Sequence, residues 1–283
     1  NDPENEYPLN NRAIMGYPPG SVFKLVTAYA GLSEERINKS RYINCGGLWT
    51  GLGEDFPKWC WAKSGHGAMN IISAIQNSCD IYFYEVGFEL FLKNSNSEEL
   101  LQKYAKLYGF GANTGVDLPY EDTGTVPDKA WKKEYFKEQK DNTIWFPGDT
   151  VNMAIGQGDL LTTPLQMANA YAILVNRGIK NIPHLGLEVR DEKGDVFAKL
   201  GEGAKTDLEM NNEYMVMVEQ GMEKVVSQGT AAARFTSFPL KEIPVAGKTG
   251  TAEVIGKQDY GWFVTYAPVG NPQYIIVIML EQA

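Results

Sequence analysis

The chain has 283 residues, of which 43% are hydrophobic and 12% aromatic, a size and composition that suit one large or two small globular domains. Its net charge of -9 and its pI of about 4.9 argue against binding to nucleic acid and against adsorption to anionic membranes. Its longest apolar run, near residues 274–280, is far shorter than the roughly 20 residues that a membrane-spanning helix needs.

A serine and a lysine lie three residues apart where the first helix is predicted. Pro18-Pro19-Gly20 cannot continue a helix, whereas residues 22–30 can, so Ser21 should lie at or near the first turn. There the helix dipole favours a developing oxyanion, and Lys24 should lie on the same face. A lysine whose pKa is lowered by burial or by a nearby cation can activate a serine hydroxyl. Alone, the pair is equally compatible with a capped helix that carries a surface lysine.

Further helices are predicted by apolar stretches and by capping residues. Residues 69–92 predict two helices that are interrupted near Asn77-Ser78. Ser95-Asn96-Ser97-Glu98 is typical of a capping box, which opens a helix that ends at Tyr108. Two more helices are predicted, at residues 165–176 after Thr163-Pro164 and from Asn211-Asn212 to about Val226. The polar residues 120–143 predict a loop with one short helix.

The C-terminal part of the chain changes to strand patterns. Strands are predicted at Val245–Val254, Gly261–Ala267 and Tyr274–Glu281, and Pro268-Val269-Gly270-Asn271-Pro272 predicts a hairpin between the last two. Helices followed by strands indicate an α+β fold, with an antiparallel sheet packed against helices.

The first predicted strand contains Gly247-Lys248-Thr249-Gly250-Thr251. A Lys-Thr-Gly tripeptide that follows an S-x-x-K motif in this order is typical of enzymes in which a lysine activates a serine and the substrate docks along the strand. The presence of Lys248 therefore strongly favours a catalytic pair over the interpretation of Ser21 and Lys24 as a simple helix cap with a surface lysine.

These motifs, with Ser78-Cys79-Asp80 between them, resemble the transpeptidase domain of class B penicillin-binding proteins. The middle motif of that family is normally S-x-N, and the S-x-D form is similar to the elongation-specific penicillin-binding protein 2 subgroup of rod-shaped Gram-negative bacteria. Ile155-Gly156-Gln157-Gly158 and Thr163-Pro164-Leu165-Gln166 also resemble that subgroup. The likeness runs from about Asn11 to Glu281.

The resemblance implies a serine transpeptidase or β-lactamase-like α+β fold with a helical subdomain. Residues 1–283 would form one transpeptidase domain, with the helical part at about 21–230 and the sheet strands at about 243–281. The family's membrane anchor, N-terminal pedestal and C-terminal helix would be absent from this chain. In the full-length protein the domain would lie at the periplasmic face of the inner membrane.

The resemblance also implies a D,D-transpeptidase that cross-links peptidoglycan stem peptides for cell elongation and rod shape, with no cofactor for catalysis. The serine would attack the carbonyl between two terminal D-alanines, the lysine of S-x-x-K would take its proton, and an amine of a second stem would resolve the acyl-enzyme. β-Lactams would occupy the same site covalently. The implied catalytic residues are Ser21, Lys24, Ser78, Asp80, Lys248 and Thr251, and the substrate-binding residues are Lys248, Thr249, Gly250 and Thr251.

Asp80 departs from the family's usual pattern. An asparagine at this position could donate an amide hydrogen to the substrate, whereas a carboxylate offers only acceptors. A carboxylate would also favour the charged form of Lys24, which opposes a general-base role. The proximity of Lys248 could offset this effect, and the sequence offers no further account of the substitution.

Two other functions share parts of this pattern. A serine β-lactamase has the same motifs but must add water quickly to the acyl-enzyme, and the chain shows no convincing deacylating glutamate motif. A non-catalytic β-lactam sensor or scaffold subunit is the third alternative, against which the intact catalytic motifs count. The resemblance implies as partners a membrane glycan polymerase and a rod-shape scaffold protein.

All three cysteines of the chain, with one of its two histidines, form a candidate zinc site. Cys45, Cys60, His66 and Cys79 lie within 35 residues, and Cys3His is a set that suits structural zinc, although the spacing is not that of a zinc finger. A disulfide with one spare thiol, or three unconnected thiols, are alternatives. Some penicillin-binding protein 2 enzymes hold zinc in this segment through Asp, His and Cys, which strengthens the prediction. Because Cys79 lies inside the middle motif, the metal would fix that motif and the loop at residues 46–65.

Overall fold

The largest sheet lies at the C-terminal end of the chain and consists of three antiparallel strands. The computed structural model describes residues 7, 9–95, 97–201, 203–254 and 256–282. The sheet is formed by β9 (Ala246–Ala252), β10 (Tyr260–Ala267) and β11 (Tyr274–Leu280), in the order β11-β10-β9. These strands lie within two residues of the predicted ones, which confirms the three-strand prediction.

Eight α-helices are found in the described residues. They are α1 (Lys24–Ser33), α2 (Ile71–Gln76), α3 (Asp80–Lys93), α4 (Leu100–Leu107), α5 (Lys129–Tyr135), α6 (Pro147–Ala154), α7 (Pro164–Val175) and α8 (Asn212–Ser227). Helix α8 packs against β9, α7 packs against β11, and α1 contacts α3, α4 and α8. The predicted α+β fold, with helices packed on an antiparallel sheet, is therefore confirmed.

Helix α1 lies at the centre of the hydrophobic core. Its residues from Lys24 to Leu32 are all buried, so it is surrounded by protein on every side, as a helix without a polar face has to be. One detail of the prediction is wrong, because residues 20–23 form a 3-10 turn and the α-helix begins only at Lys24. Ser21 therefore lies in a tight turn that leads into α1.

Capping residues fix the ends of several helices as predicted. The Thr163 side chain accepts a hydrogen bond from the Gln166 amide, and the Gln166 side chain accepts one from the Thr163 amide. Asn211 caps α8 in a similar way. Helix α4 begins at Leu100, later than predicted, and its first amide donates to Asn94 Oδ1. The predicted capping box includes residue 96, which lies outside the described residues.

Eight shorter strands were not predicted, and they pair into two-stranded sheets. They are β1 (Ile43–Cys45), β2 (Leu48–Trp49), β3 (Lys58–Trp59), β4 (Gly67–Met69), β5 (Ile179–Asn181), β6 (Glu188–Arg190), β7 (Val196–Lys199) and β8 (Lys205–Asp207). The pairs β1–β4 and β2–β3 fold residues 43–69 against α3. They place this loop region beside the start of α3.

The described part of the chain holds no helix with both the length and the apolar character that a membrane span requires.

Candidate active site

A cleft of about 1070 Å³ lies between the start of α1, the start of α3 and strand β9. Its lining includes the predicted site residues Ser21, Ser78, Asp80, Thr249, Gly250 and Thr251. Lys24 and Lys248 lie behind this surface, with exposed fractions of 0% and 2%. The structure thus brings three motifs, the first and last of which lie more than 200 residues apart in the sequence, into one site.

Ser21 is held against strand β9 by two glycines. Gly20 has a φ of +56°, and a Cβ atom there would lie 2.3 Å from the Thr251 carbonyl oxygen. Gly156 has a φ of +79°, and its Cβ would lie 1.9 Å from the Gly20 carbonyl oxygen. Only glycine allows these approaches. The Ser21 hydroxyl makes no hydrogen bond to another described residue, and Ser21 lines the cleft.

Lys24 is fully buried, and its ammonium group contacts the middle motif. Its Nζ donates to the Ser78 carbonyl oxygen at 2.9 Å and to Asp80 Oδ1 at 2.7 Å, and it lies 3.3 Å from Ser78 Oγ. Phe83 lies beneath it, with the ring centroid 5.3 Å from Nζ. A buried cation requires such an opposite charge, because its transfer from water is otherwise very costly.

Asp80 links this lysine to the loop that contains Cys60. Its Oδ2 accepts a hydrogen bond from the Trp61 amide at 2.9 Å, so both carboxylate oxygens are engaged. Burial acts to raise the pKa of Asp80, but the charge and hydrogen bond of Lys24, the Trp61 amide and the charge of Lys248 together lower it. Asp80 is therefore an ionised partner of Lys24.

Lys248 approaches the same serine from the opposite side. Its Nζ donates to Ser78 Oγ at 2.8 Å and to the Thr249 carbonyl oxygen at 2.8 Å. Burial lowers the pKa of Lys248 well below its usual value, and repulsion by Lys24 adds to this effect, whereas Asp80 opposes it. The Ser78 hydroxyl thus bridges the two buried lysines.

Ser78 has a strained backbone. Its φ of 51° lies in the left-handed region, which costs about 1 kcal/mol or more for a residue other than glycine. Hydrogen bonds on both sides hold the turn between α2 and α3, since the Ser78 amide donates to the Ile75 carbonyl and the Cys79 amide to the Ala74 carbonyl. The strain directs the Ser78 hydroxyl to the two lysines.

Several cleft residues were missed by sequence reasoning. Thr230 follows α8 and shares a hydrogen bond of 2.6 Å with the Thr249 hydroxyl. No motif surrounds Thr230, so its sequence position gives no signal that it faces β9. The other missed lining residues include Lys58, Trp59, Trp61, Lys63, Tyr84, Asn152 and Gln157.

The four predicted metal ligands lie together beside the middle motif. The ligand atoms of Cys45, Cys60, His66 and Cys79 lie within 4.8 Å of one another, and His66 Nδ1 is 3.6 Å from Cys45 Sγ and 3.5 Å from Cys60 Sγ. All three cysteines are free thiols in the structure. A hydrogen bond between the Cys79 and Cys60 sulfurs lowers the pKa of Cys60 and raises that of Cys79. Buried thiols converging on an imidazole nitrogen fit the requirements of a tetrahedral zinc site.

Comparisons with known proteins agree with this geometry. The family model described as penicillin-binding protein transpeptidase domain matches residues 1–283. The chain is 32% identical over 298 residues to the peptidoglycan D,D-transpeptidase MrdA of Escherichia coli strain K12. This match covers 99% of the chain and 44% of the relative. The chain thus spans less than half of the length of this curated relative.

Two solved structures are similar throughout the chain. The complex between penicillin-binding protein 2 and MreC from Helicobacter pylori is similar with a TM-score of 0.80 and 32% identity, over 97% of this chain and 48% of that chain. The crystal structure of Pseudomonas aeruginosa penicillin-binding protein 2 in complex with WCK 5153 has a TM-score of 0.82 and 30% identity, over 99% of this chain and 60% of that chain.

Proposed function

Because the chain belongs to the penicillin-binding protein transpeptidase family, we propose that it is a peptidoglycan D,D-transpeptidase of cell elongation that works through an acyl-enzyme on Ser21. The observation that carries this proposal is the buried contact between Lys24, Ser78 and Lys248 beside an unengaged serine. Residues 1–283 form the transpeptidase domain, with a helical part at about 21–230 and sheet strands at about 243–281. The domain needs no cofactor for catalysis.

Acylation begins when the substrate's terminal carboxylate enters the cleft beside β9. A negative charge there favours the ammonium form of Lys248, and Ser78 Oγ, which contacts both lysines, can pass it a proton from Lys24. Lys24 is then a neutral amine that accepts the proton of the Ser21 hydroxyl as its oxygen attacks the carbonyl between the two D-alanines. Asp80 stays ionised and stabilises Lys24 when it is protonated.

The tetrahedral intermediate needs hydrogen-bond donors for its oxyanion. The proposed donors are the backbone amides of Ser21 and Thr251, and the close packing of Gly20 on Thr251 supports this choice. The Ser78 hydroxyl then relays a proton from Lys24 to the departing D-alanine amine. Thr249 and Thr230, whose hydroxyls share a hydrogen bond, line the same cleft.

The fate of the acyl-enzyme separates a transpeptidase from a β-lactamase. Among the described residues that line the cleft, the carboxylates are Asp80 and Glu253. Both oxygens of Asp80 are engaged, and Glu253 is an exposed side chain. This arrangement lacks a buried base that would activate water, and it favours transfer of the acyl group to an amine.

Incubation of the protein with a fluorescent penicillin tests the proposal. A transpeptidase gives a covalent adduct that persists after excess reagent is removed. Rapid loss of the adduct, with accumulation of hydrolysed penicillin, would show a β-lactamase. The absence of any adduct would contradict both enzyme functions and favour a non-catalytic scaffold role.

We further propose that Cys45, Cys60, His66 and Cys79 bind a structural zinc ion. Support comes from the convergence of three free thiols on His66 Nδ1. When bound, the ion supplies a crosslink between the loop at residues 46–65 and the start of α3, and it takes no part in the acyl transfer. Through Cys79 and the Trp61–Asp80 hydrogen bond, this crosslink positions the carboxylate that contacts Lys24.

The proposed location and partners follow from the family. The Helicobacter pylori relative was solved in a complex with MreC, and we propose a rod-shape scaffold protein of this kind as one partner, together with a membrane glycan polymerase. The full-length protein would then be anchored in the inner membrane with this domain on its periplasmic face, where stem peptides and β-lactams reach the cleft.

A further inference from the structure

One wall of the cleft carries a lysine that none of the catalytic steps uses. Lys58 lies on β3 and lines the cleft together with Tyr84 and Asn152. Its Nζ donates to Asn152 Oδ1 at 2.7 Å and lies 5.7 Å from the centroid of the Tyr84 ring. The side chain is therefore partly buried and fixed from two sides.

Within the part of the chain that the structure describes, Lys58 has no acidic partner. None of the ion pairs found among the described residues includes it, although buried or partly buried cations are usually paired. The carboxylates that share the cleft with Lys58 are Asp80, whose two oxygens bind Lys24 and the Trp61 amide, and the exposed Glu253. An oriented cation without a counter-charge in a binding cleft is suited to bind an anionic group of a ligand.

Lys58 contacts α3 one helical turn after Asp80, through the ring of Tyr84. Tyr84 follows Asp80 by four residues on α3, so the two side chains lie one helical turn apart on the same face. The Tyr84 hydroxyl donates to the Trp59 carbonyl oxygen at 3.3 Å, which fixes β3 against α3. Contacts run from Lys248 through Ser78 and Lys24 to Asp80, and Lys58 contacts Tyr84, on the next turn of α3.

We infer that Lys58, oriented by Asn152 and Tyr84, is a second anion-binding point of the cleft, which selects acyl donors that carry a carboxylate on the acyl side in addition to the terminal one. This inference rests on the proposed function. The ligand class is an acidic stem peptide, or a β-lactam with an acidic side chain. Lys58 is a specificity residue that touches the substrate away from the reacting carbonyl.

A matched pair of penicillins tests the inference. Carbenicillin differs from benzylpenicillin by one carboxylate on the acyl side chain. The measured quantity is the ratio of their second-order acylation rate constants, carbenicillin over benzylpenicillin. Loss of one charge-assisted contact at a partly exposed site should lower this ratio about fivefold in Lys58→Gln. The exposed Lys63, whose Nζ lies over the Trp59 ring on the same wall, provides Lys63→Gln as the control for general loss of positive charge.

The outcomes separate this inference from the proposed function. We expect Lys58→Gln to lower the ratio and Lys63→Gln to leave it within twofold, with a smaller effect of Lys58→Gln at high salt. An unchanged ratio in Lys58→Gln, or an equal fall in Lys63→Gln, would overturn the inference while acylation itself persists. If neither penicillin acylates the unsubstituted protein, the proposed function fails and this inference fails with it.

Discussion

At the scale of single residues, the contact between Lys248 and Ser78 is central to the proposed proton transfer. Lys248→Met keeps the length of the side chain but removes the amine that contacts Ser78 Oγ and the Thr249 carbonyl. We expect acylation by benzylpenicillin to slow about a hundredfold or more, with stability unchanged or raised, because a desolvated amine is replaced by an apolar group. Acylation kinetics and urea unfolding measure the two effects.

The control for this substitution is Lys199→Met, which alters an exposed lysine on β7. It should change neither acylation nor unfolding. Acylation by Lys248→Met within twofold of the unsubstituted rate would contradict the role of Lys248.

Asp80 makes stability depend on pH. The pKa of Asp80 in the folded protein is lowered from 3.8, so near that pH the folded state binds fewer protons than the unfolded state. The ionised Asp80 therefore stabilises the fold above pH 3.8, and this stabilisation is lost as the pH falls through the folded pKa. Asp80→Asn leaves the buried Lys24 without its counter-charge, which should cost about 3 kcal/mol at neutral pH. The free energy of unfolding, measured from pH 7 down to pH 2, should fall less steeply below pH 3.8 in this variant. Parallel curves with equal stability would show that the Lys24–Asp80 pair contributes nothing.

At the scale of elements, the loop formed by β1 to β4 depends on the proposed zinc site. Cys60 is one of the proposed zinc ligands, and its amide donates to the Gly47 carbonyl within the same loop. Cys60→Ser should lose bound zinc, lower the melting temperature by roughly 5 °C or more and slow acylation, because the crosslink to α3 is lost. Zinc content by elemental analysis, calorimetry and acylation kinetics measure these three effects.

Chelator treatment of the unsubstituted protein should reproduce the Cys60→Ser result. The exposed Ser64 in the same loop provides Ser64→Ala as a control that keeps zinc. Protein purified without chelator that contains no zinc, together with a Cys–Cys crosslink found by mass spectrometry, would instead establish a disulfide.

Elements with strong local signals could be predicted from the sequence. The cap at Thr163, the alternating pattern of β10 and the apolar run of β11 each specify local structure through adjacent residues. The eight short strands could not be predicted, because two to four residues give too little periodicity and their pairing depends on tertiary contacts. Likewise, the sequence predicts Ser21 at or near the first turn of an α-helix, whereas residues 20–23 form a tighter 3-10 turn, with Gly20 packed on Thr251.

In the candidate site too, residues with a local sequence signal could be predicted, whereas those that depend on tertiary contacts could not. Motif residues such as Lys24 and Lys248 could be listed from the sequence, but the bridge that Ser78 forms between them required the fold. Thr230 and Lys58 gave no signal at all, because each reaches the cleft only through long-range packing of a loop or a short strand. The physical reason is that contacts between separate elements leave no local periodicity: Thr230 contacts Thr249 over 19 residues of sequence and Lys58 contacts Asn152 over 94.

At the scale of the whole molecule, the site lies where the start of α1, the end of α6 and strand β9 meet. Gly156→Ala would force a Cβ atom to within 1.9 Å of the Gly20 carbonyl, which must shift the turn that carries Ser21. We expect the substitution to destabilise the protein by about 2 kcal/mol or more and to reduce acylation strongly.

Gly194→Ala is the matched control, since Gly194 has a φ of +87° but open space around it, so that only backbone strain is introduced. Equal acylation by the two variants would show that the close approach at Gly156 does not position Ser21.

The most direct test of the account is the mass of the intact protein after incubation with benzylpenicillin, followed by mapping of the modified peptide. The account predicts one adduct per chain, located on Ser21, and no adduct on Ser21→Ala, whose fold should be nearly unchanged because the Ser21 side chain makes no hydrogen bond to the described residues. An adduct of equal yield on Ser21→Ala, or an adduct mapped to another residue, would contradict the assignment of Ser21 as the nucleophile.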